Sequence, residues 1–171
     1  ADGRPRVNTE VMYDNMMNKF RYGNVNKPGI YLDENTLRMC RTHRMMFSEL
    51  AEALYEEGKN DKAIAVLDYA EEMLPGYNVS YDYTSASMAA LYYTLGEMEK
   101  GNAIMDQVAT NAVEYMAWGT TLEPASRKAA QSTLGHYSAV LGFVLNNLQR
   151  FEQKELFNKY FETCQSLGLL Q

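Results

Sequence analysis

The chain has 171 residues, 46% of them hydrophobic and 22% charged, enough apolar material for a core that needs no disulfide or metal staple. Its formal charge of −6 is uneven: residues 1–44 carry eight Lys/Arg against five Asp/Glu, net +3, while residues 45–171 carry eight against seventeen, net −9. So acidic a body lacks the basic stripe with which proteins displace counterions from a polyanion, which excludes nucleic acid as a partner.

In chain order, Ala1-Asp2-Gly3-Arg4-Pro5-Arg6 shows neither an initiator Met nor an apolar leader and reads as a cut end, either a processed terminus or an excised domain. Met12, Met16 and Phe20 recur at every fourth residue, with Tyr13 and Met17 beside them, and predict a short helix over 9–20. Residues 23–29, rich in Asn and containing Lys27-Pro28, form a loop. Asp33 is an acceptable N-cap, and from Glu34 the pattern Leu37, Cys40, Arg44, Phe47, Leu54 runs to Gly58, predicting a helix over 34–57. The next helix, 61–74, starts at the capping pair Asn60-Asp61 and stops at Pro75. Helices over 83–95, 99–117, 124–147 and 151–166 complete seven, with Gly119 to Glu123 as a break and Pro124 tolerated in a first turn. No segment alternates like a strand, so the fold class is all-α.

Two of these helix pairs share a template. Phe47-x-x-Leu50-Ala51-x-x-Leu54, then Ala63-x-x-x-Leu67, then Pro75 resembles the tetratricopeptide repeat, whose small residues let two helices approach closely. A second copy lies 38 residues on, with Gly96-Glu-Met-Glu-Lys100 in register with Gly58-Lys-Asn-Asp-Lys62, and Met88, Ala89, Tyr92 and Gly101 standing for Leu50, Ala51, Leu54 and Ala63. The excess over the usual ~34 residues fits in the turn-rich 75–85 connection. A third, divergent copy uses Tyr137, Val140, Leu141 and Val144, then Phe157 and Tyr160. The expected organisation is one tetratricopeptide-like solenoid of helical hairpins over 1–171: an N-terminal helix and loop (1–32), then repeats over 33–75, 82–118 and 123–167.

Catalytic and metal constellations are not found. There is no Gly-rich phosphate loop, no His-Glu-x-x-His and no nucleophile elbow. Glu56-Glu57 and Glu71-Glu72 are adjacent on helices and point to different sides, as solvated faces do. His43 and His136 stand without a carboxylate or thiol at zinc spacing, so no metal and no cofactor is expected. Cys40 and Cys164 are expected to be buried free thiols. The apolar run Ala139 to Leu145 falls far short of the roughly 18 residues of a membrane span, so no insertion into a bilayer is expected. Asn78-Val79-Ser80 matches an N-glycosylation acceptor, meaningful only in a eukaryotic secretory setting.

What remains is recognition. First helices of such repeats line a concave groove, which here places Met45, Ser48, Glu52, Tyr55 and Glu56, then Tyr83, Ala86, Ala90 and Tyr93, on one aromatic and acidic wall. Tyr offers contact area and a polar tip at small entropic cost, so the wall suits a protein, a peptide or a sugar. The alternative is that these tyrosines pack under the helix at 9–20, whose apolar face must itself be covered. The basic front, Lys19, Arg21 and Lys27, either meets an anionic headgroup or a phosphate-bearing donor or is scattered, solvated charge.

The run Arg6-Val-Asn-Thr-Glu10-Val-Met-Tyr-Asp-Asn15-Met-Met-Asn-Lys-Phe20-Arg-Tyr-Gly23, with Gly29-Ile-Tyr-Leu-Asp-Glu-Asn35 and Val79-Ser-Tyr-Asp-Tyr-Thr84, is similar to the C-terminal region of a bacterial multi-pass membrane family, domain of unknown function 2723, whose members resemble protein O-mannosyltransferases. The resemblance spans essentially the whole chain. It implies a non-catalytic, tetratricopeptide-like tail on the periplasmic face of the inner membrane, partnered by its own membrane domain and by an acceptor protein. The catalytic acids of such transferases lie in membrane-domain loops, and none maps onto this chain. The alternative is a self-contained tetratricopeptide adaptor for protein assembly.

Overall fold

The structure is a computed structural model and describes residues 7–169. The start read as a cut end, residues 1–6, lies outside the described residues. Among those described there is no strand, and eight helices follow one another: α1 (Thr9–Asp14, continued by a π-helical turn Asn15–Lys19), α2 (Glu34–Glu56), α3 (Asn60–Met73), α4 (Tyr83–Thr94), α5 (Met98–Thr121), α6 (Pro124–Ala129), α7 (Gln131–Arg150) and α8 (Lys154–Ser166). The all-α expectation holds. Several predicted boundaries move: the 124–147 helix is divided at Ala130 and runs on to Arg150, the last helix starts at Lys154 rather than 151, and α5 runs through Gly119 to Thr121. Where one domain was expected over 1–171, the chain forms two compact units, Ala1–Ser80 and Tyr81–Gln171.

In the first unit α2 and α3 pair as a hairpin and α1 lies on α2. Asn8 caps α1 by accepting from the Val11 N–H at 3.1 Å, and Asp33 caps α2 by accepting from Thr36 at 2.9 Å. Met16 is fully buried, as its stripe predicts, but Phe20 is exposed. The π-turn, closed by Phe20 N–H to Asn15 O, carries an extra residue per turn and rotates Phe20 off the stripe. Phe47, Leu50, Ala51 and Leu54 of α2 and Ala63, Val66 and Leu67 of α3 are sealed from solvent. Lys59, not Asn60, stands at the N-cap of α3, and no side chain caps it there.

In the second unit α4 pairs with α5, α7 packs on both, and α8 closes against α5 and α7. Asp82 and Ser85 form a reciprocal capping box at the start of α4.

One turn recurs through the chain. At Gly58, Gly96 and residue 152 the backbone enters the left-handed region, and the next N–H reaches back five residues: Lys59 to Leu54 O at 2.8 Å, Glu97 to Tyr92 O at 2.9 Å, Gln153 to Leu148 O at 2.8 Å. These turns set the register of the third copy. Counting from them, Ala63 and Gly101 correspond to Phe157, so a ring stands where the first two hairpins have almost no side chain. The α7–α8 pair is accordingly looser than α2–α3 or α4–α5. The third turn also lacks its glycine: Glu152 sits at φ 57°, the one non-Gly residue with positive φ among the described residues. Left-handed backbone costs an L-residue roughly 1–2 kcal/mol. Glu152→Gly is therefore expected to raise stability, by about 1 kcal/mol after the added chain entropy of Gly is subtracted. A urea midpoint at or below that of the parent would refute the assignment of strain.

Candidate functional site

On α2 the predicted recognition residues form one face. Met45 and Tyr55 are 46% and 39% exposed, Glu52 and Glu56 are exposed, and Ser48 is half-buried. At 1.5 Å rise per residue the stripe is about 16 Å long. Its exposed residues are left open by α1, which meets the hairpin at its turn, beside the stripe's last residue: Thr9 Oγ1 donates to Glu57 Oε2 at 2.8 Å, and Lys62 Nζ lies 5.1 Å from the Tyr13 ring centre. Glu57, whose adjacent Glu56 faces solvent, also binds Lys59 at 2.7 Å. Those bonds from Lys59 and Thr9 hold its carboxyl below the usual range, as suits a structural clip.

On α4 the prediction divides. Tyr83 is 46% exposed with its ring 4.9 Å from that of Phe143, and Ala90 is half-buried. Ala86 and Tyr93, placed on the groove wall by the repeat template, are instead buried, 0% and 2% exposed. Tyr93 packs on Phe151 at 5.1 Å and over Gly101, where an added Cβ would stand 2.6 Å from Tyr93 Cδ1 and 3.1 Å from the Ala89 carbonyl oxygen. Its hydroxyl donates to Asn102 Oδ1 at 2.7 Å, Asn102 Nδ2 donates to Gln153 Oε1 at 2.7 Å, and Gln153 Nε2 donates to the Phe151 carbonyl at 2.7 Å. Burial pushes the Tyr93 phenol well above its ordinary pKa. The template misplaces these two because α4 is packed by both α5 and α7 and buries more than one side. A similar clip ties α8 to α5: the Tyr160 hydroxyl donates to Asp106 Oδ1 at 2.6 Å, and Lys159 Nζ binds the same oxygen at 2.6 Å. Burial works to raise the Asp106 carboxyl, but these two bonds outweigh it and hold the carboxyl low.

The basic front lies in the first unit. Lys19, Arg21 and Lys27 are all exposed, and Lys19 is paired with Asp14. The Lys27 loop is clamped from below: Asn78 Nδ2 donates to Val25 O at 2.6 Å and to Lys27 O at 2.8 Å, and the Tyr77 hydroxyl donates to Asn26 O at 2.6 Å. Both amide hydrogens of Asn78 are thus committed, which removes it as the glycan acceptor its Asn-Val-Ser motif suggests. Asn78→Ala is expected to cost about 1–3 kcal/mol, because two loop carbonyls lose their donor, and to raise hydrogen exchange in residues 23–29. An unchanged exchange pattern would count against the clamp.

Sequence reasoning missed an aromatic surface on the second unit. Tyr115 and Tyr137 stack at 4.0 Å with planes 8° apart, and Trp118 beside them is 47% exposed. The three-residue spacing of Tyr115 and Trp118 is the only sign of it in the sequence. Cys40 and Cys164 are buried free thiols, one in each unit, and burial raises both; around Cys40, Arg44 and Arg41 oppose that rise. Among the described residues no three His, Cys, Asp or Glu stand together at metal-binding spacing, and no helix is long and apolar enough to cross a membrane.

No family model, curated protein or solved structure matches the chain.

Proposed function

We propose that this chain is a non-catalytic interaction domain of a membrane glycosyltransferase-like protein, facing the periplasm and holding an acceptor protein or peptide near the membrane-embedded active site. The observation that carries the reading is the open α2 stripe, where exposed Met45 and Tyr55 alternate with Glu52 and Glu56. Apolar and aromatic anchors rimmed by carboxylates suit an extended segment with apolar and basic side chains. The sequence resemblance supplies the membrane and glycosyl setting. Its quoted residues are used here for architecture: Met16 is core, Asp33 and Asp82 cap helices, and the Val79 carbonyl is held by Arg44. Such use fits a domain whose chemistry lies elsewhere.

A photo-crosslinker replacing Tyr55 in the full-length protein, in its own membrane, is expected to capture a glycosylated protein, and one at exposed Tyr31 is not. Capture from both positions alike, or from neither, would sink the reading. The isolated chain, given lipid-linked or nucleotide sugars and acceptor peptides, is expected to form no product; turnover that survives purification would overturn this. The second reading, a self-contained assembly adaptor, draws on the recurring turn at Gly58, Gly96 and Glu152. An open reading frame without membrane helices upstream of residue 1 would favour it.

A further inference from the structure

The first unit holds a cavity of about 580 Å³ between the 19–25 segment and α2, within the roughly 300–1,000 Å³ of small-molecule sites. Its walls are apolar and aromatic: Phe20, Tyr22, Val25, Met39, Cys40 and Leu74. Phe20 and Tyr22 both set their rings edge-on to His43, with centres 6.3 and 5.6 Å away. The mouth is cationic. Lys19 is neutralised by Asp14, but Arg21, also lining the cavity, has no carboxylate partner among the described residues. Along α2, exposed Arg41 and buried Arg44 add positive potential at the Cys40 thiol, although Arg41 also pairs with Glu34.

His43 sharpens the choice of anion. Its Nδ1 donates to the Met39 carbonyl at 2.8 Å, which fixes a proton there and leaves Nε2 as the second ring position. A phosphate monoester with its second pKa near 6 can share one proton with Nε2 in either direction, whereas a carboxylate can only accept. We propose that this cavity binds a small phosphate monoester with an apolar body, the body entering among Phe20, Tyr22, Met39 and Leu74 and the phosphate meeting Arg21 and His43. These residues are distinct from the α2 stripe, so this site and the interaction surface stand or fall separately.

The test is calorimetric titration of the whole chain with octyl phosphate, octanol and inorganic phosphate, with thiol labelling of Cys40 read in parallel. Octyl phosphate is expected to bind and to protect Cys40, with octanol and inorganic phosphate about tenfold weaker or worse, the worth of a charge-assisted contact. Arg21→Glu should weaken octyl phosphate by about the same factor with Tm unchanged, since Arg21 has no structural partner to lose. Met39→Trp, which fills the cavity, should remove binding. Equal affinity for octanol, or an Arg21→Glu variant that binds like the parent, would overturn the proposal. So would retention on phosphatidylglycerol vesicles without any octyl phosphate binding, which would make the front a membrane-facing surface instead.

Discussion

Arg44→Met is expected to lower stability by at least about 3 kcal/mol, the largest effect of any single substitution on the first unit. Arg44 is fully buried, and its guanidinium donates from Nη1 to Ser80 O at 3.0 Å and from Nη2 to Leu74 O at 2.8 Å and Val79 O at 2.6 Å. Hydrogen bonds from a charged donor are worth about 1.5–3 kcal/mol each, and acceptors left bare inside the protein carry a further penalty. Leu74 is the C-cap of α3, so the cation also sits against the negative end of that helix. Met keeps the apolar length of the side chain, which isolates the polar loss. Lys should lose less, yet its three donors leave one nitrogen and cannot reproduce the spread of Nη1 and Nη2 over these carbonyls. The check is a urea titration with hydrogen exchange at Asn78 and Val79, whose N–H groups bond Pro75 O in the same turn. A Met variant as stable as the parent would mean that desolvating the guanidinium already cancels its bonds.

The same residue marks how far the sequence could be read. Arg44 falls on the apolar stripe of α2, between Cys40 and Phe47, so its inward direction follows from periodicity. Its partners do not: they are carbonyls of a turn some 30 to 36 residues on, and backbone acceptors leave no trace in residue type. Helix positions were legible because caps, glycines and spacing are local, and Asp33, Gly58, Gly96 and Asp82 each act where they stand. The third hairpin was blurred because its left-handed turn is made by Glu152, which carries no glycine signal. The division of the chain after Ser80 reflects which residues cluster in space, which no local pattern encodes. The exposed face was readable on amphipathic α2 and not on α4, where apolar residues sit on more than one side and Tyr92 and Tyr93 are both buried. For the cavity beside Cys40, the sequence showed the cations at 19 and 21 but not the aromatic walls that the turn after α1 folds over α2.

Tyr93→Ala and Tyr55→Ala are expected to behave as opposites, although the repeat template put both on one wall. Tyr93, 2% exposed, would leave a cavity beside Phe151 and Gly101 and strip the Asn102 amide of its donor. Truncating a buried aromatic costs roughly 3–5 kcal/mol, a fall in Tm on the order of 10 °C for a chain of this size, carried by the transition of the second unit. Tyr93→Phe keeps the ring and loses only the hydroxyl bond, about 1 kcal/mol. Tyr83→Ala, which gives up its contact with Phe143, should cost about 0.5–1.5 kcal/mol beyond lost area. Tyr55→Ala changes an exposed position and should stay within about 0.5 kcal/mol, while weakening capture of any partner held on α2. Circular dichroism melts of the four variants rank them without a ligand in hand. If Tyr93→Ala melted like Tyr55→Ala, Tyr93 would belong to a surface after all and α4 would rejoin α2 as a recognition helix. The expected order leaves α4 as scaffold and α2 as the face on which the proposed binding is to be tested, where a loss of partner without a loss of fold is the signature to look for.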